Sequence, residues 1–192
     1  MRVGVLHPGE MGVTVLESLM ANGVSATWVK EGRGESTIQR ASSVPSLDTL
    51  EELTDSVETI ISVCPPSAAL EVALNIFDKG FKGIYVDANA ISPLESRKIS
   101  ELFGAAFVDG GIIGPPAKEA GTTRIYLSGM RSREVVNLFK VGPLEAIALS
   151  ESSDPEEITA ASALKMAYAG FSKGAAALLV AVNAFARKSG VL

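Results

Sequence analysis

Apolar residues in this chain alternate between two rhythms. Short continuous runs suit strands, and stretches with an apolar residue every third or fourth position suit helices. The first run, Val3 to Leu6, leads through Pro8 and Gly9 into a helical pattern. "VSATWV", "ETIISV", "GIYVDA", "AAFVDG", "RIYLSG" and "EAIALS" read as further strands, rich in β-branched and aromatic residues. Between them, weak helical signals cover Ile38 to Ala41 and Leu47 to Leu53, and a stronger one runs from Ser67 to Lys79 before Gly80. Ser92-Pro93-Leu94-Glu95 has the form of a capping box and opens a helix to Phe103; a short helix is expected near Glu134 to Phe139. Strand and helix in alternation predict an α/β fold, a mainly parallel sheet covered on both faces with antiparallel pairing at one edge.

The rhythm changes at Asp154-Pro155-Glu156-Glu157, a cap, a first-turn proline and acids near the positive helix end. From there one helical pattern runs to Lys188, a predicted length of ~50 Å. It is apolar nearly all round and rich in alanine and glycine, so it must be wrapped at close range. Nothing else in the sequence can wrap it, which predicts a homodimer through this helix. The division expected is 1–152 for the α/β domain and 153–192 for the long helix.

Composition narrows the function classes. Of 192 residues 47% are hydrophobic, and 17 basic against 22 acidic side chains give a net charge of -5. With no Lys/Arg run to track phosphates, a nucleic-acid partner is not expected. The longest apolar stretch, Gly174 to Ala186, contains Asn183 and falls short of the ~18 residues of a membrane span, so no membrane is expected either. The lone Cys64 fits a reducing compartment, the cytoplasm. No metal site is expected.

The candidate chemistry begins at His7-Pro8-Gly9-Glu10-Met11-Gly12. A dinucleotide-binding turn reads G-x-G-x-x-G, and here Gly9 and Gly12 hold the second and third places while His7 holds the first. Free N–H groups at the following helix start would face a pyrophosphate; the other reading is a surface turn that contains two glycines. About 20 residues on, where NAD-binding units carry an acid for the ribose, stand Lys30-Glu31-Gly32-Arg33. Glu31 suits NAD, whereas Lys30 and Arg33 suit the 2′-phosphate of NADP, the preferred expectation; an exposed basic loop is the alternative.

Taken together, "GVLHPGEMG", "VDANAISP", "FVDGGIIGPP" and "ALKMAYAGFSKG" resemble the β-hydroxyacid dehydrogenase family, which includes 6-phosphogluconate and 3-hydroxyisobutyrate dehydrogenases. The resemblance implies a Rossmann-type doubly wound sheet, followed by the first long helix of an all-helical second domain. It implies that Cys64-Pro65-Pro66 passes beside the cofactor ribose and that Asn89 lies near the nicotinamide, in a D-x-S-T segment here written Asp87-Ala88-Asn89-Ala90. It also implies that Asp109, Gly111, Ile113 and Gly114 belong to the substrate loop and that Lys165 is the catalytic lysine. The chain departs from the family pattern at Ile113, where a serine would donate, and at Tyr168 and Ala169, where asparagines usually follow the lysine.

Lys165 is the one cation between Asp154 and Lys173, on a helix with few polar residues. Desolvation lowers a lysine pKa and makes it a usable proton shuttle; a lysine snorkelling to water is the alternative. Tyr168, three residues on, would share its helix face and assist. The expected activity is hydride transfer between a nicotinamide cofactor and a small hydroxy acid or carbonyl compound. The competing readings are a non-catalytic NAD(P)-binding sensor and an imine or other carbonyl reductase.

Overall fold

The structure, a computed structural model, describes residues 1–192. Six strands run parallel: β1 (Arg2–Leu6), β2 (Ser25–Val29), β3 (Ser46–Leu47), β4 (Thr59–Ser62), β5 (Ile84–Asp87) and β6 (Phe107–Ile113). Strand β7 (Thr123–Ser128) turns antiparallel to β6, and β8 (Leu144–Ser150) follows β7 in parallel, so the edge reversal expected from the sequence is present. The order β3-β2-β1-β4-β5-β6-β7-β8 makes one eight-stranded sheet. Its direction of winding reverses between β1 and β4, which is where doubly wound folds hold ligands, beyond the carboxyl ends of the strands.

Helices α1 (Glu10–Ala21), α2 (Glu35–Arg40), α3 (Leu50–Ser56), α4 (Ala69–Asp78), α5 (Pro93–Phe103) and α6 (Ser132–Val136) connect the strands. Two cores result, one on each face. Val3, Val5, Ile61, Val86 and Val108 pack with Leu16 and Leu19 of α1 on one side; Ile60, Tyr85 and Phe107 pack with Ile76 and Ile99 on the other. The capping box at Ser92 forms as expected, with Ser92 Oγ accepting from Glu95 N at 3.2 Å. A second one at Thr49 starts α3, so the helix expected at Leu47 begins at Leu50 and Leu47 joins a strand instead. The Ser67 segment begins as a short 3-10 turn at Pro66–Ala68 before α4.

The last helix, α7 (Ala160–Lys188), has 29 residues and starts later than expected. Asp154 caps an approach turn rather than the helix, accepting from Glu156 N at 2.9 Å, and a 3-10 turn at Glu157–Thr159 intervenes. At 1.5 Å per residue α7 spans about 44 Å. Only its first turns rest on the sheet, with Ala161 and Ser162 buried, while Phe171, Leu178 and Phe185 lie open at 77%, 65% and 72% exposure. The segment Glu157–Lys188, with a hydropathy of 1.4, is long and apolar enough to cross a membrane by length and composition. This corrects the expectation that no segment reaches span length: a span can carry a lone charge, so the apolar helix continues across Lys173, where the stretch from Gly174 begins.

A row of polar side chains crosses the sheet near its carboxyl edge. Ser62, Asp87, Asp109 and Ser128 are in register on β4 to β7, and all four are buried. Asp109 accepts from Ser96 Oγ at 2.8 Å and from Ser162 N and Oγ at 2.6 Å each, which joins α5 and the first turn of α7 to β6. Ser128 Oγ accepts from Ala161 N at 3.0 Å and donates to Ile158 O at 3.1 Å. Asp87 is less well served: Oδ1 accepts from Asn89 N at 3.0 Å, and Oδ2 has no partner.

Burial raises the Asp87 pKa from 3.8 to about 7, and the nearby Asp109 carboxyl adds to the rise. Between those two values the folded protein keeps a proton that the unfolded chain has released, so this group lowers stability as pH rises across that window. Asp87→Asn removes the titration and keeps an acceptor for Asn89 N. By thermal melts, wild type loses stability relative to the variant as pH rises from about 4 to 7, by up to ~1.4 kcal/mol per pH unit, and the difference is constant outside that window. Parallel profiles for the two proteins contradict this assignment.

Candidate functional site

The loop after β1 answers the question posed by the missing first glycine. His7 adopts φ 62°, the left-handed conformation that glycine would take freely and that histidine enters more readily than most residues. The turn closes with Gly9 N donating to His7 O at 2.7 Å. A Cβ on Gly12 would lie 2.5 Å from His7 O, so the third glycine is required for the helix to start this close to the strand. At Gly9 a Cβ would meet nothing nearer than 4.0 Å, which leaves the loop surface open to a ligand. No side chain caps α1, so the N–H groups of its first turn, from Glu10 to Gly12, have no side-chain partner at its positive end. Pro8 is buried behind the turn.

Two cavities meet at this loop. One, of about 360 Å³, is lined by His7, Gly9 to Gly12, Arg33, Cys64 and Pro65, with Thr37 and Val63. The other, of about 500 Å³, has apolar walls from Leu6, Val29, Leu50, Val72 and Ile76 and polar groups from Glu31, Arg33 and Asn75. His7 and Arg33 border both. The first cavity brings the helix start and Arg33 together, the donor chemistry a pyrophosphate needs; the second, with apolar walls, suits a flat adenine with its ribose. These are the features a dinucleotide needs, and the residues present fit it.

The sequence-predicted cofactor residues divide. His7, Gly9, Glu10, Met11, Gly12, Glu31, Arg33, Cys64 and Pro65 line the cavities. Lys30 lines neither: its Nζ is held by Asp48 at 3.1 Å. Pro66 is exposed at the start of the 3-10 turn. Glu31 has a second task, since its Oε2 accepts from Leu50 N at 2.9 Å and caps α3. Sequence reasoning missed the contribution of α4, whose Val72, Asn75 and Ile76 face the larger cavity. The apolar spacing of Val72 and Ile76 was visible, but it reads equally as core.

Asn89 is almost fully buried and ties two loops together. Its Oδ1 accepts from Cys64 N at 2.5 Å and its Nδ2 donates to Ser62 Oγ at 3.2 Å. The chain leaving β4 is thereby fixed to the chain leaving β5. Burial pushes the Cys64 thiol up, which keeps it protonated and unreactive.

Lys165 projects from α7 to the carboxyl end of β6, where Nζ donates to Ile112 O. A Cβ on Gly111 would lie 2.7 Å from Ala161 O and 3.2 Å from Lys165 Cβ, so this glycine sets how closely α7 approaches. Burial, with the charge of Lys173, holds the Lys165 pKa below the usual lysine range. Asp109, expected near the substrate, is fully buried with both oxygens engaged by Ser96 and Ser162. Ile113 is half-buried at the strand end, and Gly114 turns the chain at φ 130°. Tyr168 is 47% exposed and lines neither cavity.

No protein-family model matches the chain. It is 32% identical over 196 residues to an uncharacterised 28.5 kDa protein encoded in the 7S RNA 5′ region of Methanothermus fervidus, covering 100% of this chain and 73% of that protein. A conserved protein of unknown function, described as structurally similar to 3-hydroxyacid dehydrogenases, matches at 32% identity with a TM-score of 0.80, over 100% of this chain and 72% of that one. A variant imine reductase from Myxococcus stipitatus, in complex with NAD+, shares the fold at a TM-score of 0.77 and 17% identity, over 100% and 66% of the two chains. With the loop, the switch-point cavities and the seated lysine in view, this chain belongs to the β-hydroxyacid dehydrogenase family, the NAD(P)-binding group related to 6-phosphogluconate dehydrogenase.

Proposed function

We propose that this protein is an NAD(P)-dependent oxidoreductase acting on a small hydroxy acid or carbonyl compound. The observation that carries the reading is Lys165, a half-buried ammonium with lowered proton affinity at the same sheet edge as the dinucleotide cavities. The bound nicotinamide supplies the hydride chemistry. The N–H groups of Glu10, Met11 and Gly12 hold the pyrophosphate, and Leu6, Val29, Val72 and Ile76 exclude water around the adenosine. Asn89 fixes the loop after β4 beside the ring. Lys165 Nζ moves the proton of the substrate oxygen, released from Ile112 O as substrate enters. Gly111, Ile113 and Gly114 border the substrate, and Asp109 positions Lys165 through Ser162. Residues 1–152 form the cofactor domain, and 153–192 begin the helical one. The protein works in the cytoplasm on small molecules and without nucleic acid.

Lys165→Met lowers turnover by about 10²- to 10⁴-fold, the usual contribution of a general acid or base, and leaves cofactor affinity intact. The assay uses a panel of hydroxy acids, ketones and imines. Turnover unaffected by the substitution removes Lys165 from the mechanism, and cofactor binding with no turnover on any panel member favours the non-catalytic sensor. An imine as preferred acceptor is compatible with the same lysine and with the imine reductase fold neighbour.

The cofactor is NADP, held at its 2′-phosphate by Arg33, the cation common to both cavities. A charge-assisted contact of this kind is worth ~1.5–3 kcal/mol. By calorimetry Arg33→Ala weakens NADP+ binding by roughly 10- to 150-fold and weakens NAD+ binding less, so that most of the difference between the two is lost. Equal affinities of the wild-type protein for the two contradict the NADP assignment.

The open apolar flank of α7 is covered by the same helix of a second copy. Phe171, Leu178 and Phe185 form too large an apolar surface to leave in water. Light scattering in detergent-free buffer at micromolar concentration gives a dimer; a monodisperse monomer, or a requirement for detergent, overturns this assembly.

A further inference from the structure

His7 stands where a dinucleotide loop needs no side chain at all. Like Arg33, His7 borders both cavities. Its Nδ1 is buried and has no hydrogen-bond partner. We propose that the His7 imidazole binds an anionic phosphate of the dinucleotide and takes up one proton from solvent as it does so, so that cofactor capture and protonation are coupled. This rests on the dinucleotide reading of the loop.

The electrostatics support it. Burial and the Arg33 guanidinium lower the His7 pKa from 6.5 to about 4, so the ring is neutral in the free protein. Every charged or titratable group around it has a defined part. Glu10 of α1 is exposed on the smaller cavity, and the Cys64 thiol beyond β4 stays protonated. From the loop after β2, Arg33 Nε donates to Glu31 O at 3.1 Å, and the Glu31 carboxylate is held by α3. On α4, Asp78 is exposed and Lys79 is paired with Glu51. Arg33 therefore dominates the field at the ring. An incoming phosphate offsets that charge and provides an acceptor, and both effects favour the imidazolium. The proton comes from the buffer and no other bond changes.

The sign follows from linkage. The bound pKa lies above the free one, so affinity rises as pH falls through the bound value, by up to tenfold per pH unit, and levels off below about 4. NAD+ and NADP+ are titrated by calorimetry at pH 5.5 in two buffers of different ionisation enthalpy. The oxidised forms survive acid, and NAD+ lacks a 2′-phosphate that would itself titrate. Wild type takes up a fraction of a proton per site set by how far the bound pKa rises, and His7→Gly and His7→Asn, both suited to the left-handed backbone, lose that uptake while still binding. Binding with no dependence on buffer overturns the proposal and leaves the dinucleotide reading standing. Uptake that persists in both variants assigns the proton to Glu10 or the ligand and also overturns it. No binding of either nucleotide by wild type overturns both.

Discussion

A carboxylate on the sheet, Asp109, is gripped by the first turn of α7 through Ser162 N and Oγ, at 2.6 Å each. Burial in the sheet pushes its pKa up, and the donors of Ser162 and Ser96 pull it back down. Such bonds to a buried charged group are worth ~1.5–3 kcal/mol apiece and cost more than that if one partner is lost. The arrangement also sets the positive end of the helix on the acid. Because the clamp fixes both the axial position and the rotation of α7, it fixes the residue one turn further on, which is Lys165. Gly111 allows the approach and Ile112 O receives the ammonium. The proposed proton-transfer group is thus placed by a contact that never meets substrate.

The cofactor end of the site obeys a different constraint, backbone geometry. The turn between β1 and α1 needs a left-handed residue at its first position and no Cβ at its last. His7 meets the first need at φ 62°, and Gly12 meets the second. The sheet connects the two ends. Ser62, Asp87 and Asp109 lie in register between them, and Asn89 joins the loops above Ser62 and Asp87. That polar row is a cost to stability near neutral pH, because Asp87 Oδ2 is buried without a partner. Proteins keep such strained polar groups where the site needs rigid loops.

Much of this was legible in the sequence because local signals agreed with the global pattern. The strand runs, the Ser92 capping box and the Pro155 helix approach each carry their own physical cause. Gly9 and Gly12 were placed in the β1–α1 turn because the strand-glycine-helix context is local, and the structure brings Arg33 to the same cavity. The start of α7 was misplaced because Asp154 has the side chain of a cap, and only the packing of Ile158 and Ala161 on the sheet decides where the helix begins. Lys30 was grouped with Arg33 by proximity, yet Asp48, from a segment far along the chain, claims it. The clamp of Asp109 and the wall from α4 involve residues distant in sequence, for which no periodic signal exists. Apolar length alone misjudged α7, since counting stopped at the single charge of Lys173 although the apolar helix continues on its other side.

The central claim is that a dinucleotide lies across the switch point with its nicotinamide facing Lys165. A crystal structure of the protein with NADP+ tests it most directly. The account predicts the pyrophosphate on the N–H groups of Glu10 to Gly12, adenosine in the larger cavity, and the nicotinamide ring between Asn89 and Lys165 Nζ. A nucleotide seated elsewhere, or a ring turned away from Lys165 with α7 still clamped on Asp109, contradicts it.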